Sequence, residues 1–233
     1  MGLFVVLLGA PGAGKGTQAE LLGRALELPH VSSGELFRAA QRAQSDLGRQ
    51  VQGYLSRGEL VPDALTIAMV AERLGQPDCD RGAILDGFPR TIDQAQALDR
   101  VLSERGEQLT SVVYVRVGEA VLLERLSGRW TCGNCQAVYH LPNKPPRVAG
   151  KCDSCGGALR QRADDTPETH RRRIEVYMAQ TAPLVEFYRE RHLLVEVEGE
   201  AGIEKVQSHL LAAVQSAARE RRIRQGRCAE CAD

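Results

Sequence analysis

The stretch with the clearest chemistry is GAPGAGKGT, a glycine-rich segment at residues 9–17 that ends in a lysine and a hydroxyl. Glycines let backbone N–H groups turn inward without Cβ clashes, and the positive end of a following helix adds to the attraction for anions. Lys15, the only lysine before Lys144, adds a mobile positive charge. The pattern predicts a loop that binds the phosphates of a nucleotide. Because Gly16 separates Lys15 from the hydroxyl of Thr17, it favours small-molecule kinases over most ATPases and GTPases with such loops.

A second motif, LDGFPR at residues 85–90, places an acid and an arginine directly after a predicted buried strand. Ligands of open parallel sheets bind at this end of the strands. Asp86 is therefore expected to hold Mg²⁺ through water, and Arg90 to meet phosphate. An ordinary turn with a solvated arginine is the alternative, but the neighbouring phosphate loop favours the functional interpretation.

Two Cys-x-x-Cys pairs, Cys132 with Cys135 and Cys152 with Cys155, are separated by sixteen residues. This spacing predicts a tetrahedral Zn²⁺ site. Four thiolates leave no position for substrate or water, so the metal would be structural. Free or disulfide-bonded pairs are an alternative, iron or cobalt could occupy the same ligands, and a nucleic-acid-binding ribbon would need more stacking aromatics.

The elements that must position these residues alternate between strand-like and helix-like segments, which predicts a parallel sheet covered by helices on both faces. The predicted strands are 3–8, 29–31, 82–85, 112–117 and 193–197. The predicted helices are 18–26, one from about 34 capped by Ser33, 46–57, 62–74, one from 91, 118–127, 166–191 and one from 202. The pattern breaks between Gly128 and about Arg162, where an inserted module is expected.

Composition narrows the class of protein. Thirty basic and thirty acidic residues give a net charge of zero, which provides no argument for a nucleic-acid or membrane partner. No segment approaches the length of a membrane span, and residues 3–8 are too short for a secretory signal. We therefore expect a cytoplasmic protein, in which paired cysteines indicate metal before disulfides. A monomer is also expected.

Together these motifs resemble the adenylate kinases of the bacterial type with a long, zinc-containing lid, within the P-loop nucleoside monophosphate kinase family. The resemblance covers residues 1 to about 215. The motifs that carry it, in order, are the glycine loop, Ser33-Gly34 with Arg38, Asp86 to Arg90 with Gln94, Arg129 before the cysteines, and Arg162 with Asp164-Asp165 and Arg173.

The resemblance implies a five-stranded parallel sheet in the order 2-3-1-4-5 with two mobile insertions. Residues 1–31, 62–127 and 166–215 would form the core, 32–61 the AMP-binding insertion, 128–165 the zinc-binding lid, and 216–233 a C-terminal tail, expected to be disordered. The implied reaction is reversible, Mg²⁺-dependent transfer from ATP to AMP, giving two ADP and maintaining adenine nucleotide balance.

The resemblance also implies roles for single residues. The ATP-binding set is Gly12, Ala13, Gly14, Lys15, Gly16, Thr17, Arg125, Arg129, Val138, Tyr139 and the backbone of Ala201. The AMP-binding set is Ser33, Arg38, Glu59, Leu60, Val61, Gly87, Phe88, Pro89, Arg90, Gln94, Arg162 and Arg173. The catalytic set is Lys15, Arg90, Arg129, Arg162 and Arg173, and Thr17 and Asp86 would surround Mg²⁺. Two departures stand out: Ser33 replaces a more usual threonine, and Trp130 stands where many relatives carry a second arginine.

Scattered arginines could surround the phosphates only if mobile segments close over them. No nucleophile with a convincing base is evident, so direct in-line transfer is expected. Two alternatives stay open: a kinase for another acceptor such as UMP or CMP, and a non-catalytic nucleotide sensor. Cys228 and Cys231 lie outside the resemblance and are interpreted as incidental thiols, with a redox pair or a metal half-site as the alternative. The five histidines are expected to be structural or surface residues.

Overall fold

The computed structural model describes residues 2–141, 143–162, 165–224 and 226. The strands are β1 (Leu3–Leu8), β2 (His30–Ser32), β3 (Gly82–Asp86), β4 (Leu109–Arg116), β5 (Arg129–Cys132), β6 (Val138–His140), β7 (Leu159–Arg160) and β8 (Leu194–Glu198). The helices are α1 (Lys15–Leu26), α2 (Ser33–Arg42), α3 (Asp46–Arg57), α4 (Asp63–Leu74), α5 (Ile92–Glu104), α6 (Glu119–Ser127), α7 (Pro167–Val176), α8 (Pro183–Glu190) and α9 (Ile203–Arg224).

The main sheet has five strands in the order β2-β3-β1-β4-β8, and all of its pairings are parallel. This confirms the predicted fold and strand order. Because β1 is central, the glycine loop emerges at the carboxyl edge of the sheet between the ends of β3 and β4. That edge is where open parallel sheets bind ligands.

Both faces of β1 are buried, which explains its continuous run of apolar residues. Phe4, Val6 and Leu8 belong to a core shared with α4, α5 and α8. Val5 and Leu7 belong to a second core, shared with α1 and α9. The alternation follows from the two-residue period of a strand and places helices on both sides of the sheet.

Each predicted insertion contains a small apolar cluster, and Leu65 and Met69 of α4 also pack against the first of them. In the region predicted to bind AMP, α2 and α3 pack around Phe37, Val51 and Val61. In the cysteine region, β5, β6 and β7 form an antiparallel sheet in the order β6-β5-β7. Separate cores of this kind let a segment move as a unit relative to the main sheet.

The helix predicted over 166–191 is interrupted. A π-turn at Tyr177–Thr181 separates α7 from α8, and the N–H of Ala182 donates to the carbonyl of Tyr177, five residues earlier, at 2.8 Å. Pro183 has no N–H to continue the ordinary ladder, which accounts for the interruption.

The predicted disordered tail from 216 is wrong for its first part, because α9 continues to Arg224. Arg221 anchors this extension by donating to the carbonyl of Gln108 and to Oγ1 of Thr110, each at 2.9 Å. Cys228 and Cys231 lie outside the described residues, as does Asp164. Within the described ranges, no helix is both long and apolar enough to cross a membrane.

Candidate active site

A cleft of about 1480 Å³ opens at the carboxyl edge of the sheet. Nearly every residue predicted to bind nucleotide or Mg²⁺ lines it. These residues are Gly12 to Thr17, Ser33, Arg38, Glu59 to Val61, Asp86, Gly87, Pro89, Arg90, Gln94, Arg125, Arg129, Val138, Tyr139, Arg162, Arg173 and Ala201. Phe88 is the exception, because its side chain is buried in the main core.

The glycine loop adopts backbone conformations that exclude other residues. Gly12 and Gly14 have φ of 88° and 90°. A Cβ on Gly12 would lie 2.8 Å from the carbonyl oxygen of Leu122, so the loop also packs closely against α6. Gly14 directly precedes α1, whose first N–H groups have no acceptor within the helix. The cleft at this point is a pre-formed anion site.

Lys15 lies at the centre of this site. Its Nζ donates to the carbonyl of Ala10 at 3.0 Å. Burial lowers the pKa of Lys15 to about 8, an effect that the charge of Asp86 opposes and those of Arg90 and Arg129 reinforce. A phosphate bound here would neutralise several buried positive charges at once, which gives the site a strong preference for polyanions.

Asp86 ends β3 beside the start of α1, and a Cβ added to Gly16 would lie 3.4 Å from its Oδ2. His30 Nε2 lies 3.5 Å from the same oxygen. Burial opposes ionisation, but the contact with His30 and the charge of Lys15 hold the pKa of Asp86 below its usual value. Burial alone would lower the pKa of His30, but the contact with Asp86 and the charge of Asp86 outweigh burial, so the pKa of His30 is raised. Sequence reasoning missed His30, although its position on the strand beside β3 was a usable signal.

Three hydrogen bonds fix Arg90. Its N–H donates to Gln94 Oε1 at 2.8 Å and its Nε to the carbonyl of Gly87 at 2.8 Å, while Thr181 Oγ1 donates to its carbonyl at 2.9 Å. Burial lowers the pKa of Arg90, although a guanidinium stays charged throughout the accessible pH range. Thr181 comes from the π-turn, so the interruption of the helix and the orientation of Arg90 are connected.

Gln94 is held from its other side by Asp63, the first residue of α4. Gln94 Nε2 donates to Asp63 Oδ1 at 2.7 Å, and Thr91 Oγ1 donates to Asp63 Oδ2 at 2.6 Å. Thr91 also accepts from the N–H of Gln94 at 3.2 Å and so caps α5. These bonds leave one amide hydrogen and one lone pair of Gln94 for a ligand.

Ser33 does not cap a helix as predicted. It is the first residue of α2, with Ser32 at the cap position, and its Oγ donates to the carbonyl of Gly87 at 2.7 Å. The hydroxyl therefore ties α2 to the loop that carries Arg90. Arg38, one helical turn later, folds back over Gly34, where an added Cβ would be 3.1 Å from its Nη1.

The carboxylate of Asp165 brings two of the predicted catalytic arginines together. Arg129 donates from Nε to Oδ2 at 3.0 Å and from Nη2 to Oδ1, and Arg173 Nη1 donates to Oδ1 at 3.0 Å. The Asp165 side chain is 1% exposed. Although burial disfavours its charge, Arg129, Arg173 and Arg162 lower the pKa of Asp165 to about 2. We call this group the Asp165 cluster: Asp165, Arg129, Arg173 and the neighbouring His170.

Tyr139 lines the cleft, but its side chain belongs mainly to the cysteine module. It is buried, with its hydroxyl 3.5 Å from Cys152 Sγ, and that oxygen accepts from the N–H of Asp153 at 2.7 Å. Contact with a nucleotide at this position would therefore come from Val138 and from backbone atoms. Sequence patterns did not reveal this second use of the tyrosine.

Arg125 reaches across the cleft mouth from α6. Its Nη1 donates to the carbonyl of Gly199 at 3.0 Å, which fixes α6 to the loop that carries Ala201. Helix α9, which begins directly after this loop, meets α1, where Gln18 Nε2 donates to the carbonyl of Ile203 at 3.0 Å. The backbone of Ala201 is thereby held beside the glycine loop.

The four paired cysteines converge as predicted. Their sulfur atoms all lie within 4.8 Å of one another, and two pairs, Cys132 with Cys155 and Cys135 with Cys152, are 3.5 Å apart. None of the four forms a disulfide. A zinc–sulfur distance of about 2.3 Å requires sulfur atoms about 3.8 Å apart in a tetrahedron. The four thiols therefore fit a closed, four-coordinate zinc site.

Comparisons with known proteins give the family. A family model described as Adenylate kinase matches residues 7–193. The chain is 54% identical over 202 residues to the adenylate kinase of Moorella thermoacetica, covering 87% of this chain and 93% of the relative. The chain belongs to the adenylate kinase family. The adenylate kinases of Syntrophomonas wolfei (52% over 198 residues, 85% and 92% covered) and Carboxydothermus hydrogenoformans (48% over 211 residues, 91% and 99% covered) are similar to it as well.

Membership of the adenylate kinase family confirms the resemblance that the ordered motifs predicted. The chain is a phosphotransferase whose reaction interconverts ATP and AMP with two molecules of ADP. Adenylate kinases use Mg²⁺ together with ATP. The cleft, the anion site and the converging cations are the features of this chain that such a reaction needs.

Proposed function

We propose that the chain transfers the terminal phosphoryl group of MgATP directly, in one in-line step, to the phosphate of AMP. The observation that carries this proposal is the shared position of Lys15, Arg90, Arg129 and Arg173. They come from the start of α1, the loop after β3, β5 and α7, and they all border one cleft. Phosphoryl transfer requires charge neutralisation and alignment more than covalent catalysis, and converging cations supply both.

The cleft supports a division into two nucleotide sites. ATP would bind at Gly12 to Thr17, Arg125, Arg129, Val138 and the carbonyl of Ala201. AMP would bind at Ser33, Arg38, Glu59 to Val61, Gly87 to Arg90 and Gln94, with Phe88 contributing backbone only. Arg162 and Arg173 would contact the phosphates of both nucleotides. The carbonyl of Gly87, which holds Arg90, and the carboxylate of Asp165, which holds Arg129, keep these cations oriented before substrate arrives.

Thr17 and Asp86 fit the magnesium that accompanies ATP. Both lie beside the anion site, and oxygen ligands are what this cation prefers. When bound, Mg²⁺ neutralises charge on the terminal phosphates of ATP. The contribution of the chain is to keep Asp86 ionised and oriented, which His30 and Lys15 support from two sides.

The two insertions, 32–61 and 128–165, would close over the nucleotides and exclude water from the transfer. Their separate cores support movement as rigid units. Structural Zn²⁺ on Cys132, Cys135, Cys152 and Cys155 would hold the lid in one conformation, so that closure does not spend conformational entropy on ordering the lid.

We further propose a monomer, and thiols arranged to bind a metal fit a reducing compartment such as the cytoplasm. Sedimentation equilibrium with and without substrates tests the monomer directly, because a second copy would double the measured mass.

The test of the reaction is ADP formation from ATP and a panel of acceptors, AMP, GMP, CMP and UMP. AMP should be preferred, and Lys15→Met should lower turnover by about 10³-fold or more, the range seen when one transition-state cation is lost. Lys205→Met, an exposed position on α9, is the matched control. Preference for UMP or CMP would assign another acceptor, and nucleotide binding without any ADP would identify a sensor.

Direct transfer is tested by stereochemistry. With a chiral thiophosphate at the γ-position, a single in-line step inverts the configuration at phosphorus, whereas a phosphorylated enzyme intermediate gives retention. His30 is the residue to inspect for such an intermediate, because its Nε2 lies 3.5 Å from Asp86 and its side chain lines the cleft. Retention together with a trapped phosphohistidine would overturn the proposal.

A further inference from the structure

His170 lies beside the residues that hold the catalytic arginines, yet no role has been assigned to it. It belongs to α7, which is capped by Thr166 and starts with Pro167. Its side chain is 6% exposed, and its Nε2 lies 3.4 Å from Oδ1 of Asp165. The same oxygen accepts from Arg129 and Arg173.

The carboxylate oxygen of Asp165 that faces His170 already accepts from two cations. One carboxylate faces two guanidinium groups, and the charge of Arg162 also acts on it. A protonated imidazole would place a further cation against the same oxygen. Burial lowers the pKa of His170, the charges of Arg129 and Arg173 lower it further, and contact with Asp165 opposes the shift.

The two helices that pack against α7 from other parts of the chain each carry an arginine that is engaged elsewhere. Helices α3 and α6 both pack against α7. Arg57 of α3 donates to Glu59 at 3.0 Å, and Arg125 of α6 donates to the carbonyl of Gly199. The first protonation near neutral pH within the cluster therefore belongs to His170, because its arginines stay charged and Asp165 stays ionised.

We propose that His170 is a positioning residue that acts on Arg129 and Arg173 through Asp165. As a neutral imidazole it donates Nε2–H to the carboxylate and fixes the orientation that presents both guanidinium groups to the phosphates. As an imidazolium it competes with the arginines for one oxygen and displaces one of them. This inference rests on the roles proposed above for the two arginines and adds a proton-dependent control of them.

The variant His170→Gln separates positioning from titration, because glutamine keeps an N–H donor and does not ionise. The measured quantity is the ratio of kcat/KM for ATP between the native enzyme and the variant, at saturating AMP, from pH 5 to 8. The nucleotides and His30 ionise in the same way with the native enzyme and with the variant, so their effect on kcat/KM cancels in the ratio. Below the pKa of His170 the native enzyme should lose about tenfold per pH unit relative to the variant.

Two further variants complete the design. His170→Leu has no hydrogen-bond donor, so its turnover should be several-fold lower than that of His170→Gln at pH 8, where the native imidazole is neutral. The higher turnover of the glutamine variant would show that the N–H donor, and not the charge, is needed at this pH. His209→Gln, at an exposed position on α9, should keep the native pH profile. Circular dichroism and zinc content at each pH identify any loss caused by acid unfolding or metal release.

Nitrogen-15 NMR of the ligand-free zinc protein gives a readout that does not depend on activity. His170 should carry its proton on Nε2 near pH 8 and titrate below pH 6.5, and the Nε signals of Arg129 or Arg173 should move with the same midpoint. Identical pH profiles for the native enzyme and His170→Gln, or an imidazole titration that leaves both arginines unmoved, would overturn the inference. If the spectra show that His170 and the arginines titrate together, but no form of the enzyme makes ADP, the catalytic roles proposed for Arg129 and Arg173 are wrong. The coupling between His170 and these arginines would still be supported.

Discussion

Replacing Asp165 by asparagine is the most informative single change to this chain. The amide has the shape of the carboxylate, but it removes the negative charge that lies between Arg129 and Arg173. Both arginines would then stand partly buried without their common counter-ion. Stability and turnover should fall together, because the contacts of Asp165 both connect β5 to α7 and orient the two arginines.

The size of the effect follows from the protonation equilibrium. The carboxyl has an ordinary pKa of 3.8 and a value of about 2 in the fold. A difference of about 2 units corresponds to about 2–3 kcal/mol at neutral pH. Because the pKa is depressed, this contribution is complete above about pH 4 and is lost as the pH falls towards 2.

Breaking a buried ion pair costs about 3–5 kcal/mol when the remaining charge stays buried. The side chains of Arg129 and Arg173 are 20% and 18% exposed, so both can turn partly towards water. We therefore expect the lower figure, about 2–3 kcal/mol, or a fall in melting temperature of about 5–10 °C at pH 7. Turnover should fall by about 10- to 100-fold, because misplacing a catalytic group by 1 Å has effects of this size.

Urea unfolding at pH 7 and steady-state ADP formation measure both quantities. Asp46→Asn is the control: Asp46 also pairs with an arginine, Arg49, but both side chains are largely exposed. It should cost less than about 1 kcal/mol and leave turnover unchanged. An Asp165→Asn variant that unfolds at the native urea midpoint and keeps native turnover would refute the reasoning.

Other consequences can be tested in the same way. Removing zinc with a chelator, or Cys135→Ser, should raise hydrogen exchange across 129–160 and lower the melting temperature, while amides of β1 keep their protection; unchanged exchange in the lid would contradict the structural role. Thr181→Val should keep the fold but lower kcat/KM for AMP several-fold, because the carbonyl of Arg90 loses its donor; native kinetics would mean that the π-turn does not position Arg90. His30→Gln should destabilise the chain more at pH 6 than at pH 9, because a raised histidine pKa contributes stability that is lost as pH rises through it; an equal loss at both values would exclude a charged pair with Asp86.

Local chemistry made much of this chain predictable. The glycine loop, the strand ending at Asp86 and the paired cysteines each require particular residue types at fixed spacing, so their order alone indicated the family. Strand order followed from the family resemblance, and α3 begins and ends at the predicted residues, Asp46 and Arg57. These features depend on contacts between residues that are close in sequence or on a fixed topology.

Other features depend on contacts that no local pattern encodes. The Asp165 cluster joins β5 to α7 across 36 residues, and His170 enters it through its position one turn into the helix. Thr181 reaches Arg90 across 91 residues because Pro183 breaks the regular ladder. Ser33 was expected to serve its own helix, but its hydroxyl binds Gly87 in a different segment. When a polar side chain has several possible hydrogen-bond partners, only the folded structure shows which of them it binds.

The most direct test of the whole account is a crystal structure with a bisubstrate dinucleotide, in which two adenosines are joined by a chain of phosphates. We predict a closed cleft, with phosphate oxygens about 2.7–2.9 Å from guanidinium nitrogens contributed by separate segments of the chain. The arginines concerned are Arg38, Arg90, Arg129, Arg162 and Arg173. A closed complex in which they point to different regions of the surface, with the phosphates neutralised by other groups, would contradict it.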